Sequence, residues 1–151
     1  MAGGISTIIE KTLGAISKAG KNPLEDVIDY AEKVLKRGFN LMNTPGFDPV
    51  SVTGLVAGGC QLVAFTTGRG SVYGCSIAPT IKIATQSRLF EKMRHDMDFN
   101  AGRILEHQNL EQAGRELYRF LILTANGDYT SSEKLGLGWE EFVPWSTGET
   151  L

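Results

Sequence analysis

The sequence predicts an α/β fold, a small and mostly parallel sheet flanked by helices in a three-layer sandwich. Short apolar runs alternate with segments of helical periodicity, as expected when strands and helices follow one another. The 151 residues, 42% of them hydrophobic, suffice for one globular domain with its own core. Glycine is abundant, with 18 residues, and seven of them cluster between Gly46 and Gly74, which indicates sharp turns or close approach to a ligand. We therefore expect a single domain over residues 1–151.

The overall charge and the cysteine content narrow the function classes. Fifteen basic and 17 acidic residues give a net charge of -2 without a dense basic run, which argues against a nucleic-acid partner. No apolar run approaches the roughly 20 residues that cross a bilayer, so no membrane is expected. Cys60 and Cys75 lack CxxC spacing, and the start of the chain has no signal-peptide pattern. We expect a cytoplasmic, reduced protein.

Four segments have the pattern of helices. Thr7 and Glu10 have capping-box spacing, and the first helix ends at Lys18-Ala19-Gly20-Lys21. A second helix is predicted from Asn22 as the cap, with Pro23 at its first position, to the Lys36-Arg37-Gly38 stop. Two further helices are predicted at Ser87 to Arg94 and at Leu110 to Thr124, the latter with Asn109 and Gln112 at capping-box spacing and with Leu110, Ala113, Leu117, Phe120, Leu121 and Thr124 facing the sheet.

Four short apolar runs have the pattern of strands. They lie at Phe39 to Met42, Leu62 to Thr66, Ile81 to Ala84 and Glu141 to Trp145.

The stretch Thr66-Thr67-Gly68-Arg69-Gly70-Ser71 follows a predicted strand. Open α/β sheets place ligands at the carboxyl ends of their strands. Hydroxyls, glycine-freed backbone amides and a guanidinium are all donors, and together they suit a carboxylate or a phosphate. The alternative is a tight turn with a solvated arginine, and the spacing alone does not choose between the two.

Two nucleotide-binding patterns do not fit this loop. In the dinucleotide fingerprint that begins at Gly68, the third glycine would fall at Tyr73, one residue short of Gly74. A phosphate-binding Walker loop is also excluded, because no Gly-Lys-Ser/Thr follows.

Asp48 and Lys82 are candidate catalytic residues. Asp48 precedes Pro49, so its carboxylate either caps a helix, the favoured interpretation, or acts as an acid or base. Lys82 interrupts an apolar strand. It lies on a solvated face or edge, or, if the strand is central, its ammonium must be paired or functional.

The stretch RHDMDFN offers the oxygen and imidazole groups of His95, Asp96, Asp98 and Asn100. It contains no recognised metal-ligand spacing, so helix-end and turn residues are the favoured interpretation. His107 lies in a polar loop, and no nucleophile-histidine arrangement is recognisable. The metal ligands are therefore unassigned.

Several long motifs resemble one family in the same order along the chain. They are LMNTPGFDPVSVTGLVAGGCQLVAFTTGRGSVYGC, PTIKIATQSRLFEKMRHDMDFNAGRIL and FVPW, preceded by GGISTIIEKTLGAISKAG. Together they resemble the carboxyl-terminal part of the altronate and galactarate dehydratases. The family pattern has aspartate, tyrosine and cysteine where this chain has Asn43, Phe47 and Ala64, which leaves open any role of that aspartate.

The resemblance implies a hydro-lyase that removes water from a six-carbon sugar acid to give a 2-keto-3-deoxy acid, with a divalent metal such as iron(II). The loop Thr67 to Ser71 would hold the substrate carboxylate. Asp48, Lys82 and the pair Asp96/Asp98 are weaker candidates for proton transfer or metal support. The pattern also resembles sulfolactate sulfo-lyase, in which sulfite leaves instead of water.

Full-length members of the family are much longer than this chain. The resemblance therefore implies a carboxyl-terminal fragment that is inactive alone, with a metal site completed by residues outside it. The missing domains are the expected partners. An exposed patch of Trp139, Phe142, Pro144 and Trp145 would favour homo-oligomers, although buried packing of these residues is the favoured interpretation. The alternatives are a complete module that binds carboxylate or phosphate without catalysis, and an oligomerisation domain.

Overall fold

A computed structural model describes residues 7–145. In chain order the helices and strands are α1 (Ile8–Lys18), β1 (Leu24–Ile28), β2 (Phe39–Met42), α2 (Asp48–Ala57), β3 (Val63–Thr67), β4 (Thr80–Ala84), α3 (Ser87–Lys92), β5 (Phe99–Asn100), a 3-10 helix (Ala101–Leu105), α4 (Leu110–Ala125) and α5 (Ser131–Lys134). None of these helices combines the length and apolar character that a bilayer crossing requires.

The strands form two separate sheets in which all pairs are parallel. One contains β1 and β2, and the other has the order β3-β4-β5, so that β4 is central. The prediction of a small parallel sheet with helices is confirmed, although the strands divide between two sheets instead of sharing one.

The larger sheet is covered by helices on both faces. On one face, Val52 of α2 packs with Val63 of β3. On the other, Ile81 and Ile83 of β4 pack against the α4 residues Leu117, Phe120 and Leu121. The three-layer arrangement is therefore present around this sheet.

The face that α4 presents to the sheet agrees with its predicted apolar stripe. Ala113 and Thr124 are buried there, whereas Leu110, at the start of the helix, is exposed. Asn109 caps the helix by accepting from the Glu111 amide. Gln112 does not complete a capping box, because its amide donates to Glu116 instead.

The helix predicted between Asn22 and Gly38 is wrong. Strand β1 occupies residues 24–28 and pairs with β2, so that Ile28 and Met42 are buried beside each other. The chain then turns, with a positive φ of 62° at Ala31 that a helix does not contain. Apolar residues three and four apart fit either structure, and pairing with β2 decides between them.

The strand predicted at Glu141 to Trp145 is also wrong. This carboxyl-terminal segment is irregular and is held by side chains. The Glu141 carboxylate accepts from the Gly74 amide at 2.5 Å, and the Val143 amide donates to the Thr53 hydroxyl at 2.8 Å. The Trp145 ring meets the Tyr30 ring edge-on at 6.0 Å.

Helix α1 begins and ends where the sequence predicts. Thr7 is its N-cap, with the hydroxyl accepting from the Glu10 amide at 3.2 Å, and its last residue is Lys18. The short helix α5 was not predicted, although Thr130 and Glu133 form a complete capping box at its start.

Candidate functional site

The predicted ligand loop lies where the sequence placed it, at the carboxyl end of β3. Thr66 and Thr67 are the last two strand residues, and Gly68 to Ser71 follow directly. Thr67 pairs with Ala84, and Phe65 pairs with Lys82. Because side chains alternate along a strand, Thr67 shares a face with Lys82, whereas Thr66 points to the opposite face.

Part of the donor set that the sequence suggested is used inside the loop. The Thr67 hydroxyl accepts from the amides of Gly70 at 3.0 Å and Arg69 at 3.4 Å. The Ser71 hydroxyl accepts from the Tyr73 amide at 3.1 Å. Within residues 7–145, the Gly68 and Ser71 amides have no acceptor. These two amides, not all of the loop amides, remain for a ligand.

Gly70 gives the loop its shape. Its φ is +99°, a conformation that residues with a Cβ rarely adopt. A Cβ at this position would also lie 2.2 Å from the Met93 sulfur and 3.2 Å from a Leu89 methyl. The glycine therefore allows the loop to turn while it packs closely against α3 and the residue that follows it.

Arg69 is exposed at the outside of this turn. In the part of the chain that the structure describes, its guanidinium makes no hydrogen bond or ion pair. Its fork of donors is therefore available to a carboxylate.

Lys82 lies in the middle of the central strand and is 0% exposed. The solvated-edge interpretation is thus wrong, and the alternative of a central strand holds. Its Nζ has no hydrogen-bond partner among the described residues. Burial lowers the pKa of the Lys82 ammonium, and the nearby carboxylates of Asp98, Asp96 and Glu141 oppose that effect. An amine in this setting has an increased share of the neutral form, which can accept a proton.

The loop and the lysine are neighbours on one face of the sheet. Thr67 lies two residues beyond the register partner of Lys82, which is about 7 Å along the strand. The loop and the lysine therefore belong to the same part of the sheet.

Two residues near Lys82 were missed as site residues. The Tyr73 ring stacks on Phe65 with 6.1 Å between centroids, and its buried hydroxyl has no hydrogen-bond partner of good geometry among residues 7–145. Burial raises the pKa of Tyr73, and the neighbouring Cys75 and Glu141 raise it further. Glu141 reaches this region from the carboxyl-terminal segment, 67 positions after Gly74, and no local pattern signals such a contact.

Asp48 is the first residue of α2, not its cap. The N-cap is Phe47, whose side chain forms no capping bond, so the favoured capping interpretation is wrong. The carboxylate is exposed at a helix start, where the helix dipole stabilises negative charge. Its role as an acid or base stays a prediction.

The acidic stretch before β5 has structural contacts. The two Asp98 carboxylate oxygens accept from the amides of Lys82 at 2.7 Å and Ser131 at 2.6 Å. Asn100 caps the 3-10 helix by accepting from the Gly102 amide at 3.0 Å. His95 and His107 are both exposed.

A metal site is not formed by the described part of the chain. No three His, Cys, Asp or Glu side chains between residues 7 and 145 are arranged to hold an ion. The iron(II) that the resemblance implies therefore does not fit this set of residues.

Together these features define a layered α/β domain whose candidate site lies at the carboxyl edge of a parallel sheet. Residues 1–150 match the family described as D-galactarate/Altronate dehydratase, C-terminal. The chain belongs to this family, as the motifs predicted.

Individual relatives agree with this assignment. The chain is 40% identical to an altronate dehydratase of Bacillus subtilis over 151 residues, 99% of the chain and 30% of the relative. It is 38% identical to a galactarate dehydratase (L-threo-forming) of Escherichia coli over 137 residues, which are 89% of the chain and 26% of the relative. A (2R)-sulfolactate sulfo-lyase subunit beta of Chromohalobacter salexigens is 37% identical over 143 residues, which are 93% of the chain and 36% of the relative. The chain thus spans about a third or less of the relatives it matches.

Proposed function

We propose that this chain is the carboxyl-terminal domain of a sugar-acid dehydratase that removes water from a six-carbon sugar acid and yields a 2-keto-3-deoxy acid. The observation that carries the proposal is that the Thr66 to Ser71 loop and Lys82 belong to neighbouring strands of one sheet. Thr67 and Lys82 lie on the same face of that sheet. The names of the relatives supply the reaction class.

In the proposed reaction, Arg69 and the amides of Gly68 and Ser71 bind the substrate carboxylate. A base removes the proton from the carbon next to that carboxylate, and the hydroxyl on the following carbon takes up a proton and leaves as water. The enol that remains releases its hydroxyl proton and gains a proton at the carbon that lost the hydroxyl, which gives the 2-keto acid. Lys82 in its neutral form is the proposed base, because its burial favours that form.

Asp48 is a second candidate for proton transfer. Its exposed carboxylate is not occupied as a cap, so it is available to a substrate.

The divalent metal, such as iron(II), is proposed to have its ligands outside the described residues. Since residues 7–145 provide no three-ligand group, this chain is proposed to be inactive until the rest of a longer protein is present.

A sulfo-lyase is the alternative function, and the similarity to the sulfolactate sulfo-lyase subunit favours it. The same carboxylate clamp and base would serve this reaction, because it too begins with the removal of a proton from the carbon next to a carboxylate. Sulfite would then leave in place of water.

The remainder of a longer protein is the proposed partner. Ile9, Leu13 and Ile16 lie on one side of α1 and are 71%, 62% and 64% exposed. The relatives are about three times as long as this chain, so they contain enough further polypeptide to cover such a face. In the isolated chain, the same face is proposed to drive homo-oligomer formation.

The cytoplasm is the proposed location. Cys60 and Cys75 are free thiols, which persist in a reducing compartment.

The decisive experiment follows dehydration of altronate and galactarate by this chain alone and by a longer protein that contains it, each with and without iron(II). We expect turnover by the longer protein only. There, Arg69→Ala should lower kcat/KM about 10- to 150-fold, the loss expected from about 1.5–3 kcal/mol of charge-assisted hydrogen bonding. Arg69→Lys should recover part of it.

Arg94→Ala is the matched control, since Arg94 is an exposed arginine whose one ion pair among residues 7–145 is with Glu91. Turnover by the chain alone would contradict the proposal that its site is incomplete. Normal activity of Arg69→Ala would exclude the loop as the carboxylate clamp. Turnover of sulfolactate instead of the sugar acids would establish the alternative.

A further inference from the structure

The sheet of β1 and β2 is apolar on both faces. Ile28 and Met42 are register partners, both are buried, and the Met42 methyl lies beside Gly58 just after α2. Val27 and Leu41 are the preceding register pair, and they point to the opposite face because side chains alternate along a strand. They are 61% and 51% exposed. We call the surface formed by Val27 and Leu41 the outer face.

An exposed apolar face is unusual for a parallel sheet. Parallel sheets are generally covered on both faces, and their strands are apolar on both sides for that reason. A sheet of two strands is also marginally stable unless further elements pack on it. Val27 and Leu41 therefore have the character of buried strand residues, although residues 7–145 of one chain leave them exposed.

Helix α1 carries an apolar stripe that matches the outer face in size. Ile9, Leu13 and Ile16 recur at helical spacing, and all three are exposed. Eleven residues of helix and five residues of strand are each about 16 Å long. A helix is also about 10 Å wide, whereas neighbouring strands are about 4.8 Å apart. Helix α1 can therefore lie along β1 and cover both strands.

Within one chain, α1 does not cover the outer face, because both surfaces are exposed at the same time. They are joined by residues 19–23, and Pro23 stiffens the end of this connection next to β1. A second copy can supply the helix without any change in this connection. With two-fold symmetry, each copy covers the outer face of the other, so that the assembly closes at two chains.

The exposed side of α4 is a weaker candidate for the surface that receives α1. Tyr118 and Ile122 are exposed there, but the same side carries the ion pair of Arg115 with Glu111. Helix α4 already packs its apolar stripe on the larger sheet. A helix with one buried and one charged side is complete in water, whereas a parallel sheet with one bare apolar face is not.

We propose that the outer face is the docking site for α1 of a second copy of this chain, so that two copies exchange their first helices. The inference deepens the proposed homo-oligomer, because it names the surface that receives α1. The driving force is the removal of the stripe and of the outer face from water, once in each half of the dimer. Exchange of an identical element is a recognised route to dimers.

Sedimentation velocity of the double variant Val27→Thr, Leu41→Thr tests the outer face. Threonine favours strands but is less apolar, so the sheet is retained while docking is weakened. We expect the dissociation constant of the dimer to rise at least about 100-fold, because four apolar side chains per dimer lose their burial. Association at wild-type strength would overturn the proposal. If the α1 stripe were needed all the same, α1 would dock on another surface.

Val72→Thr, Leu135→Thr is the matched control. It makes the same changes at a valine and a leucine of similar exposure, which lie between β3 and β4 and directly after α5. This variant should associate like the wild type. If it weakened association as much as the strand variant does, a general loss of apolar surface would be responsible and the proposal would be overturned.

Cross-linking identifies the docked pair even if the strand variant does not fold. One chain carries Leu13→Cys, and a second chain with an affinity tag carries Val27→Cys. Both also carry Cys60→Ser, because Cys60 is partly exposed whereas Cys75 is buried. After the two are mixed, a short bismaleimide should join them into a mixed dimer that mass spectrometry detects. Leu135→Cys in place of Val27→Cys is the control and should give no mixed dimer.

A single chain with both Leu13→Cys and Val27→Cys separates exchange from packing within one chain. Cross-linked dimers support the exchange. Cross-links inside monomers would show that α1 folds back on its own sheet and would overturn the proposal, as would the absence of a mixed dimer. These readouts need no turnover, so a failed dehydratase assay would leave them intact.

Discussion

At the scale of single residues, Lys82 shows how position changes the chemistry of a side chain. A lysine on a solvated strand edge is an ordinary cation. On β4 the same residue is completely buried, with carboxylates nearby but no hydrogen bond to its Nζ among the described residues. Its pKa is lowered in the folded state by burial.

This lowered pKa predicts how stability depends on pH. Between the folded pKa and the unfolded value of about 10.4, the unfolded state binds more protons, so the free energy of unfolding rises with pH by up to about 1.4 kcal/mol per pH unit. Lys82→Met should remove this contribution. Urea unfolding of both proteins between pH 7 and 9.5 measures the difference.

The comparison of the two proteins isolates Lys82 from other groups. Burial raises the pKa of the Cys60 thiol, so above about pH 8.5 that residue favours the unfolded state as pH rises. This effect is common to both proteins and cancels in their difference. A difference that does not change with pH would contradict the lowered pKa of Lys82.

At the scale of elements, the contacts of the candidate loop matter more than its composition. Glycines at positions 68 and 70 look equivalent in the sequence, but only Gly70 has a positive φ and lies against Met93 and Leu89. A Cβ at position 68 would meet one atom of the described residues within 4 Å, the Thr85 hydroxyl oxygen, at an ordinary contact distance of 3.4 Å.

We therefore expect Gly70→Ala to lower the free energy of unfolding by about 1–2 kcal/mol, the usual cost of placing a Cβ in a left-handed conformation. Gly68→Ala is the matched control. Its change should be no more than about 1 kcal/mol and of stabilising sign, because alanine reduces the freedom of the unfolded chain. Urea unfolding distinguishes them, and equal losses would show that the loop does not require glycine at position 70.

Strand β1 lies in a segment that the sequence pattern predicted to be a helix. Val27 and Ile28 have β-branched side chains that favour strands, but the capping residues around them favour a helix. The pairing with β2 and the contact of the Tyr30 hydroxyl with the Val50 carbonyl, at 2.8 Å, stabilise the strand and the turn after it.

At the scale of the whole molecule, the exposed apolar face of α1 is the feature that a solution experiment can test. Three large side chains at helical spacing are left in water. Burial of each side chain against a partner stabilises the associated state by up to about 1.5–3 kcal/mol. Covering this face is therefore favourable for the isolated chain.

We expect the chain to self-associate and the triple variant Ile9→Ser, Leu13→Ser, Ile16→Ser to be monomeric by sedimentation velocity. The control variant Leu35→Ser, Leu105→Ser, Leu110→Ser removes three side chains that are also exposed but lie apart from α1. It should associate like the wild type. Association of the α1 variant at wild-type strength would show that another surface is responsible.

Long motifs in the sequence predicted the family. Shorter local patterns predicted the helices α1, α3 and α4, the strands β2 to β4 and the position of the loop after β3. These depend on caps, periodicity and turn residues, which act over about four positions along the chain. The tertiary structure was needed to show that residues 24–28 form a strand, that Lys82 is buried and that the Glu141 carboxylate bonds to the Gly74 amide. Those features depend on contacts such as Glu141 with Gly74 and Asp98 with Ser131, 67 and 33 positions apart, which no local pattern contains.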